Sequence, residues 1–290
     1  MQSHVKHIDV YVRTAVWFIS IAGNNGAGEI YTEEQRKEFR DDPKALLKHA
    51  KYLEDQMNGL WSLFFTSSEG QKEAQKMFGD RMAEFIKDKR LLKGFTPKFA
   101  IGCRRITPGV ADHCPINKNS LTMQGDPYMK AIQEPNVDVH FSAVKKITED
   151  SVIDEEGNER KVDTIVCATG FDVSYKPRFP IAGQNGVELG EKWKVCPEAY
   201  LGITIPDIPN FITFIGPSWP VENGSVMGPL GIVGEYAIKT IKKMQNEFIR
   251  SFAPKQDVTD AFNAHTQEFI KQTVWSSSCR SWYRSKYSDT

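Results

Sequence analysis

Apolar and polar positions alternate over residues 7–12, HIDVYV, and this β-rich alternation predicts a short strand. Asn24, Asn25, Gly26 and Gly28 then mark a loop. From Thr32 onward the apolar period lengthens to that of a helix. Thr32, followed by Glu33, Glu34 and Gln35, reads as an N-cap with an acidic first turn. Pro43 suits the first turn of a second helix, which carries Leu46, Leu47, Ala50, Leu53 and Met57 at helical spacing. Ser68 starts a third helix with Ala74, Met77, Phe78, Met82, Phe85 and Ile86, and Gly94 closes the helical block. Short strands follow at NVDVHF (136–141) and AVKKIT (143–148), then a hairpin turning at Glu156-Gly157-Asn158. TIVCA (164–168) is a continuous apolar run between Asp163 and Gly170, as expected of an inner, buried strand. FITFI (211–215) reads the same way and stops at Gly216-Pro217. Helices near 229–249 and 257–274 end the chain.

Strands, a helical block, more strands and terminal helices predict an α/β fold with a helical insertion. No glycine-rich strand–turn–helix motif accompanies the pattern, although such a fold normally uses one to hold a dinucleotide. Composition narrows the function classes. Lys plus Arg equals Asp plus Glu at 37 each, so bulk charge gives no reason to expect nucleic acid or an acidic membrane. No apolar run reaches the length of a transmembrane helix, and the first residues, broken by Asp9 and Arg13, do not read as a signal peptide. The five cysteines form no C-x-x-C pair and their spacing gives neither a zinc site nor a disulfide framework. A reducing, cytoplasmic setting is the expectation. The histidines are scattered; His4 and His7 have no carboxylate placed with them, and neither a Ser/His/Asp triad nor a metal site is expected.

Five short segments could carry chemistry. Val166-Cys167-Ala168-Thr169-Gly170-Phe171-Asp172 puts a small-residue turn after an apolar run, where backbone can approach a ligand closely; alone it is also an ordinary tight strand exit. Gly102-Cys103-Arg104-Arg105 offers two adjacent guanidinium forks, otherwise a solvated surface pair. Tyr11-Val12-Arg13-Thr14 puts an arginine at a strand end, with Trp17 following. Pro209-Asn210-Phe211-Ile212-Thr213-Phe214-Ile215-Gly216-Pro217 ends an apolar run in a rigid turn. Trp275 precedes Cys279-Arg280-Ser281-Trp282-Tyr283.

In their order along the chain, the five segments resemble the flavin-dependent, NADPH-using monooxygenases, in their Baeyer–Villiger branch and its fungal secondary-metabolism type. The resemblance covers the C-terminal portion of that family. It implies an incomplete Rossmann-like flavoprotein with two dinucleotide-binding domains. Ala168, Thr169 and Gly170 would form the hinge between the NADP and FAD domains. Arg13, Thr14 and Arg104 would contact the 2′-phosphate of NADP. Arg105 would reach the flavin and stabilise the negatively charged peroxyflavin. Gly216, Pro217 and Ser218 would lie against the flavin ring, and Trp282 would fold over the nicotinamide cofactor. FAD and NADPH are the implied cofactors, and a ketone-like small molecule and oxygen the implied substrates, yielding an ester or lactone.

By the same resemblance, residues 1–31 are a remnant of the NADP-binding domain, 32–93 its helical insertion, 94–162 its remainder, and 163–290 part of the FAD-binding domain. Both glycine motifs that would meet the pyrophosphates are absent from the sequence. The alternative is therefore a non-catalytic remnant, or a module needing a separate N-terminal chain. A sheet so shortened is expected to associate through its uncovered edge. Residues 110–124 interrupt the family pattern and are either a surface loop or a translated, unspliced intron; the sequence of the mature transcript decides between them.

Overall fold

The computed structural model describes residues 2–20, 31–104, 107–109, 125–219, 226–277 and 279. They divide into two compact units, Met1–Thr169 and Gly170–Thr290, each described by itself.

The first unit opens with β1 (Ile8–Tyr11) and β2 (Phe18–Ser20). Helix α1 (Glu33–Asp41) starts at Thr32, whose hydroxyl accepts from the Gln35 backbone while the Gln35 side chain accepts from the Thr32 N–H. This reciprocal capping box satisfies two N–H groups that a helix start leaves without partners. Helix α2 (Pro43–Asn58) begins at the proline. Ser68 caps α3 (Glu69–Phe85) and Asp88 caps α4 (Lys89–Phe95). β3 (Thr107–Gly109), α5 (Gly125–Ala131) and β4 (Val137–His140) follow. An antiparallel sheet of β5 (Val144–Ile147), β6 (Ser151–Asp154) and β7 (Glu159–Lys161) completes the unit.

β1 and β4 pair in parallel, with Asp9 opposite Asp138 and Tyr11 opposite His140. β2 and β3 are likewise parallel. Parallel strands separated by helices are the signature of an α/β fold. The core lies where the buried stripe of α3 (Ala74, Phe78 and Met82) meets Trp17, Phe95 and Met129. Gly94 lies one residue short of the end of α4 at Phe95, next to where the sequence predicts the helical block to stop. It sits inside α4, where a Cβ would come within 2.1 Å of the Phe141 ring, so its role is to admit that ring.

The expected inner strand at 164–168 does not form. Ile165 and Val166 are exposed, Val166 at 67%, and residues 164–170 make no backbone hydrogen bond among the described residues. A strand is stable only through a neighbour's ladder, and the described residues place none beside it.

The second unit contains α6 (Leu189–Lys192), an antiparallel pair β8 (Thr204–Ile205) and β9 (Ile208–Ile212), and helices α7 (Met227–Asn246) and α8 (Gln256–Ile270). Its small core joins Leu189, Trp193, Ala199, Ile205 and Ile208. The strand expected at 211–215 lies three residues earlier, because β9 pairs with β8 through Ile208 and Ile212 and leaves Phe214 and Ile215 exposed. Among the described residues, no helix is long and apolar enough to cross a membrane.

Candidate functional site

Arg13, Thr14 and Arg104 all lie in the first unit. The Val12 N–H donates to the His140 carbonyl at 2.8 Å, which carries the β1 ladder one residue past Tyr11 and fixes the chain just before Arg13. Arg13 is exposed and Thr14 half-buried beyond that point. Arg104 arrives from a separate segment that is held at several places. The Trp17 indole N–H donates to the Phe99 carbonyl at 2.9 Å. The Gln71 side chain accepts from the Ile101 N–H at 2.9 Å and donates to the Ile101 carbonyl at 3.0 Å. Gly102 then adopts φ 89°, a left-handed turn suited to glycine.

Arg104 ends half-buried, its Nη1 shielded from solvent without a hydrogen-bond partner. Burial, and then the charge of Arg13, pull its guanidinium below the ordinary arginine value. An arginine still stays cationic. A shielded donor without a partner on a cation is a place where an anion would be stabilised. A phosphate suits it in charge, and two of its tetrahedrally arranged oxygens can meet the planar guanidinium fork.

The hinge candidates Ala168 and Thr169 are exposed, and Gly170, at φ 85°, is in the left-handed region. The boundary between the two units falls between Thr169 and Gly170.

In the second unit, Gly216 is fixed by closeness. A Cβ there would come within 2.5 Å of both the Gly202 carbonyl oxygen and the Thr213 hydroxyl. The Gly216 N–H donates to that Gly202 carbonyl at 3.1 Å. Pro217 is buried, and Ser218 turns at φ 61°. The Ser218 hydroxyl donates to Asn263 Oδ1 at 2.9 Å, and Asn263 Nδ2 donates to the Thr259 carbonyl at 2.8 Å. The loop is therefore rigid, and the next residue, Trp219, keeps its indole N–H shielded and unpaired. Arg105, Trp282 and all of residues 110–124 lie outside the described residues.

One expectation needs correction. His7 does have carboxylates beside it: Nε2 is 3.8 Å from Asp9 Oδ2 and 3.5 Å from Asp138 Oδ2. The parallel register of β1 and β4 brings Asp138 there from far along the chain. These three groups lie close enough to hold a metal ion. His140, at 2.6 Å from Asp9 Oδ1, and Arg160 Nε, at 3.9 Å, already answer the buried carboxylate, so the group reads as a charge network. Neither this network nor Gln71 was legible in the sequence, because both join residues that only the fold brings together.

No family model matches the chain. It is 58% identical to the FAD-binding monooxygenase moxY of Dothistroma septosporum over 98% of its own length and 43% of the relative's. It is 56% identical to the FAD-binding monooxygenase stcW of Emericella nidulans, covering 98% of this chain and 45% of that protein. A Baeyer–Villiger monooxygenase of Pseudomonas aeruginosa is 26% identical over 98% of this chain and 50% of its own. Among solved structures, OTEMO in complex with FAD and NADP superposes with a TM-score of 0.75 at 18% identity, covering 94% of this chain and 54% of that one. The fold is that of a two-dinucleotide flavoprotein, seen in part. Over nearly its whole length the chain is homologous to FAD-binding monooxygenases, of which it matches a part. It spans less than half the length of the Dothistroma septosporum and Emericella nidulans relatives.

Proposed function

We propose that the chain supplies the NADPH-phosphate site and the flavin-facing loop of an FAD-dependent monooxygenase. Its reaction is Baeyer–Villiger oxygen insertion beside a carbonyl of a ketone-like molecule, giving an ester or lactone in secondary-metabolite biosynthesis. The observation that carries this reading is the buried Arg104 Nη1 that has no hydrogen-bond partner, on a cation already disfavoured by burial and by the charge of Arg13. FAD and NADPH supply the redox chemistry with molecular oxygen when bound; the chain's residues bind and orient them. Arg13, Thr14 and Arg104 hold the 2′-phosphate. Gly216, Pro217 and Ser218 press a rigid turn against the flavin, and Ala168, Thr169 and Gly170 form the hinge. Arg105 places a positive charge beside the flavin, and Trp282 covers the nicotinamide cofactor. This reading places the protein in the cytoplasm.

A second reading is that the chain works only with a separate FAD-binding partner. The exposed, unpaired run at 164–170 favours it, because such a segment takes up a neighbouring strand readily. The visible absorption spectrum of the purified protein, with and without added FAD, separates the two. Bound flavin bleached by NADPH supports the first. Failure to bind excess FAD, restored by co-expression with the remaining part of a relative, supports the second. No flavin binding under either condition contradicts both.

A further inference from the structure

The sequence contains the same helix-start pattern twice, and the structure uses it in two ways. At α1 the motif is Thr32-Glu33-Glu34-Gln35, and the glutamine reaches back to the Thr32 N–H, as a capping box does. At α3 it is Ser68-Glu69-Gly70-Gln71. Ser68 still caps the Gln71 N–H at 3.1 Å, but the Gln71 side chain does not return to its own cap. It points instead into the core, 2% exposed, and engages both the N–H and the carbonyl of Ile101. Its amide also donates to the Leu63 carbonyl.

The amide thus takes both hydrogen bonds that a neighbouring strand would make to Ile101, three residues before Arg104. Cys103 closes the turn after it, its N–H donating to the Ala100 carbonyl at 3.3 Å. Nothing in the helix requires this diversion, since a reciprocal cap would satisfy the glutamine locally. The Ser68 N–H donates instead to the Phe65 carbonyl at 3.2 Å, and the freed side chain ties the helical block to the segment that presents Arg104.

We infer that Gln71 is a positioning residue for the anion site: it sets the Ile101–Gly102 turn from which Arg104 is presented. The helical block then serves selectivity for a phosphorylated ligand as well as filling the core. This inference rests on the reading of Arg13 and Arg104 as a phosphate site.

The test uses the whole chain and two probes, adenosine 2′,5′-bisphosphate and adenosine 5′-diphosphate, which carry the same number of phosphates but differ in whether one is at the 2′ position. Affinities are measured by calorimetry beside a thermal melt of each variant. The wild type is expected to prefer the 2′,5′ compound, and Gln71→Ala to lower that preference by about tenfold while remaining folded. The ratio separates positioning from general destabilisation, which would weaken both probes alike. If Gln71→Ala does not fold, Gln71→Glu carries the test: it keeps an acceptor for the Ile101 N–H, removes both donated bonds, and is expected to lower the ratio in the same direction. A folded Gln71 variant that keeps the wild-type ratio, while Arg104→Ala loses it, overturns the positioning role and leaves the phosphate site standing. A wild type with no preference overturns the phosphate site, and this inference with it.

Discussion

Helix α3 carries an apolar stripe and residues 164–168 a continuous apolar run, yet the two meet opposite fates. In α3, Phe78 and Met82 are buried, Met82 completely. In the run, Ile165 and Val166 face solvent, and Phe171 just beyond is 88% exposed. A helix satisfies its own backbone within four residues and needs only one packing face. A strand requires a second strand for every N–H and carbonyl, so its place depends on residues distant in sequence or on another polypeptide. Apolarity says that a segment seeks cover; only the topology says whether it has any.

The difference can be broken by mutation. Phe95→Ala, in the core that α3 packs against, is expected to destabilise the first unit by about 3–5 kcal/mol, read as a drop in denaturant midpoint. Thr32→Ala removes one side of the α1 capping box and is expected to cost about 1 kcal/mol in the same measurement.

The β6–β7 hairpin tests the region from the side of pH. The Asn158 side chain, donating to Asp154 at 3.0 Å, holds the Asp154 carboxyl below its ordinary value. Burial opposes this, and the backbone N–H groups of Asn158, Glu156 and Gly157 add to it. A depressed value in the folded state means stability that is present above the unfolded carboxyl range and lost as pH falls through the folded value. Amide protection of the hairpin should therefore fall below about pH 4 in the wild type. The step should be absent in Asp154→Asn.

The smallest stability effect is expected where the sequence looks most like core. Val166→Ser should change stability by no more than about 0.5 kcal/mol. Paired with Ile165→Asp, it should also reduce concentration-dependent association, as seen by light scattering, if this run is the surface that recruits a neighbour. A large loss of stability would show that the run is covered after all.

These contrasts explain how much was legible in advance. Thr32, Pro43 and Ser68 marked helix starts because their chemistry acts within three or four residues. The Glu156-Gly157-Asn158 turn was legible for the same reason, Gly157 adopting φ 87° where the hairpin reverses. Arg13 and Arg104 were singled out through resemblance; the structure adds that Arg104 Nη1 is shielded and without a hydrogen-bond partner, which periodicity could not indicate. The Gln71 clamp, the His140–Asp9 pair and the exposure of 164–170 had no local signature, since each is decided by which distant residues arrive as neighbours or fail to.

The central claim, that Arg13 and Arg104 form a site for the 2′-phosphate of NADPH, is tested most directly by titrating NADPH and NADH separately into the wild type and Arg104→Ala. The account predicts that the wild type binds NADPH about tenfold or more tightly than NADH and that Arg104→Ala binds the two alike. Equal affinities in the wild type, or an undiminished preference in Arg104→Ala, would contradict it.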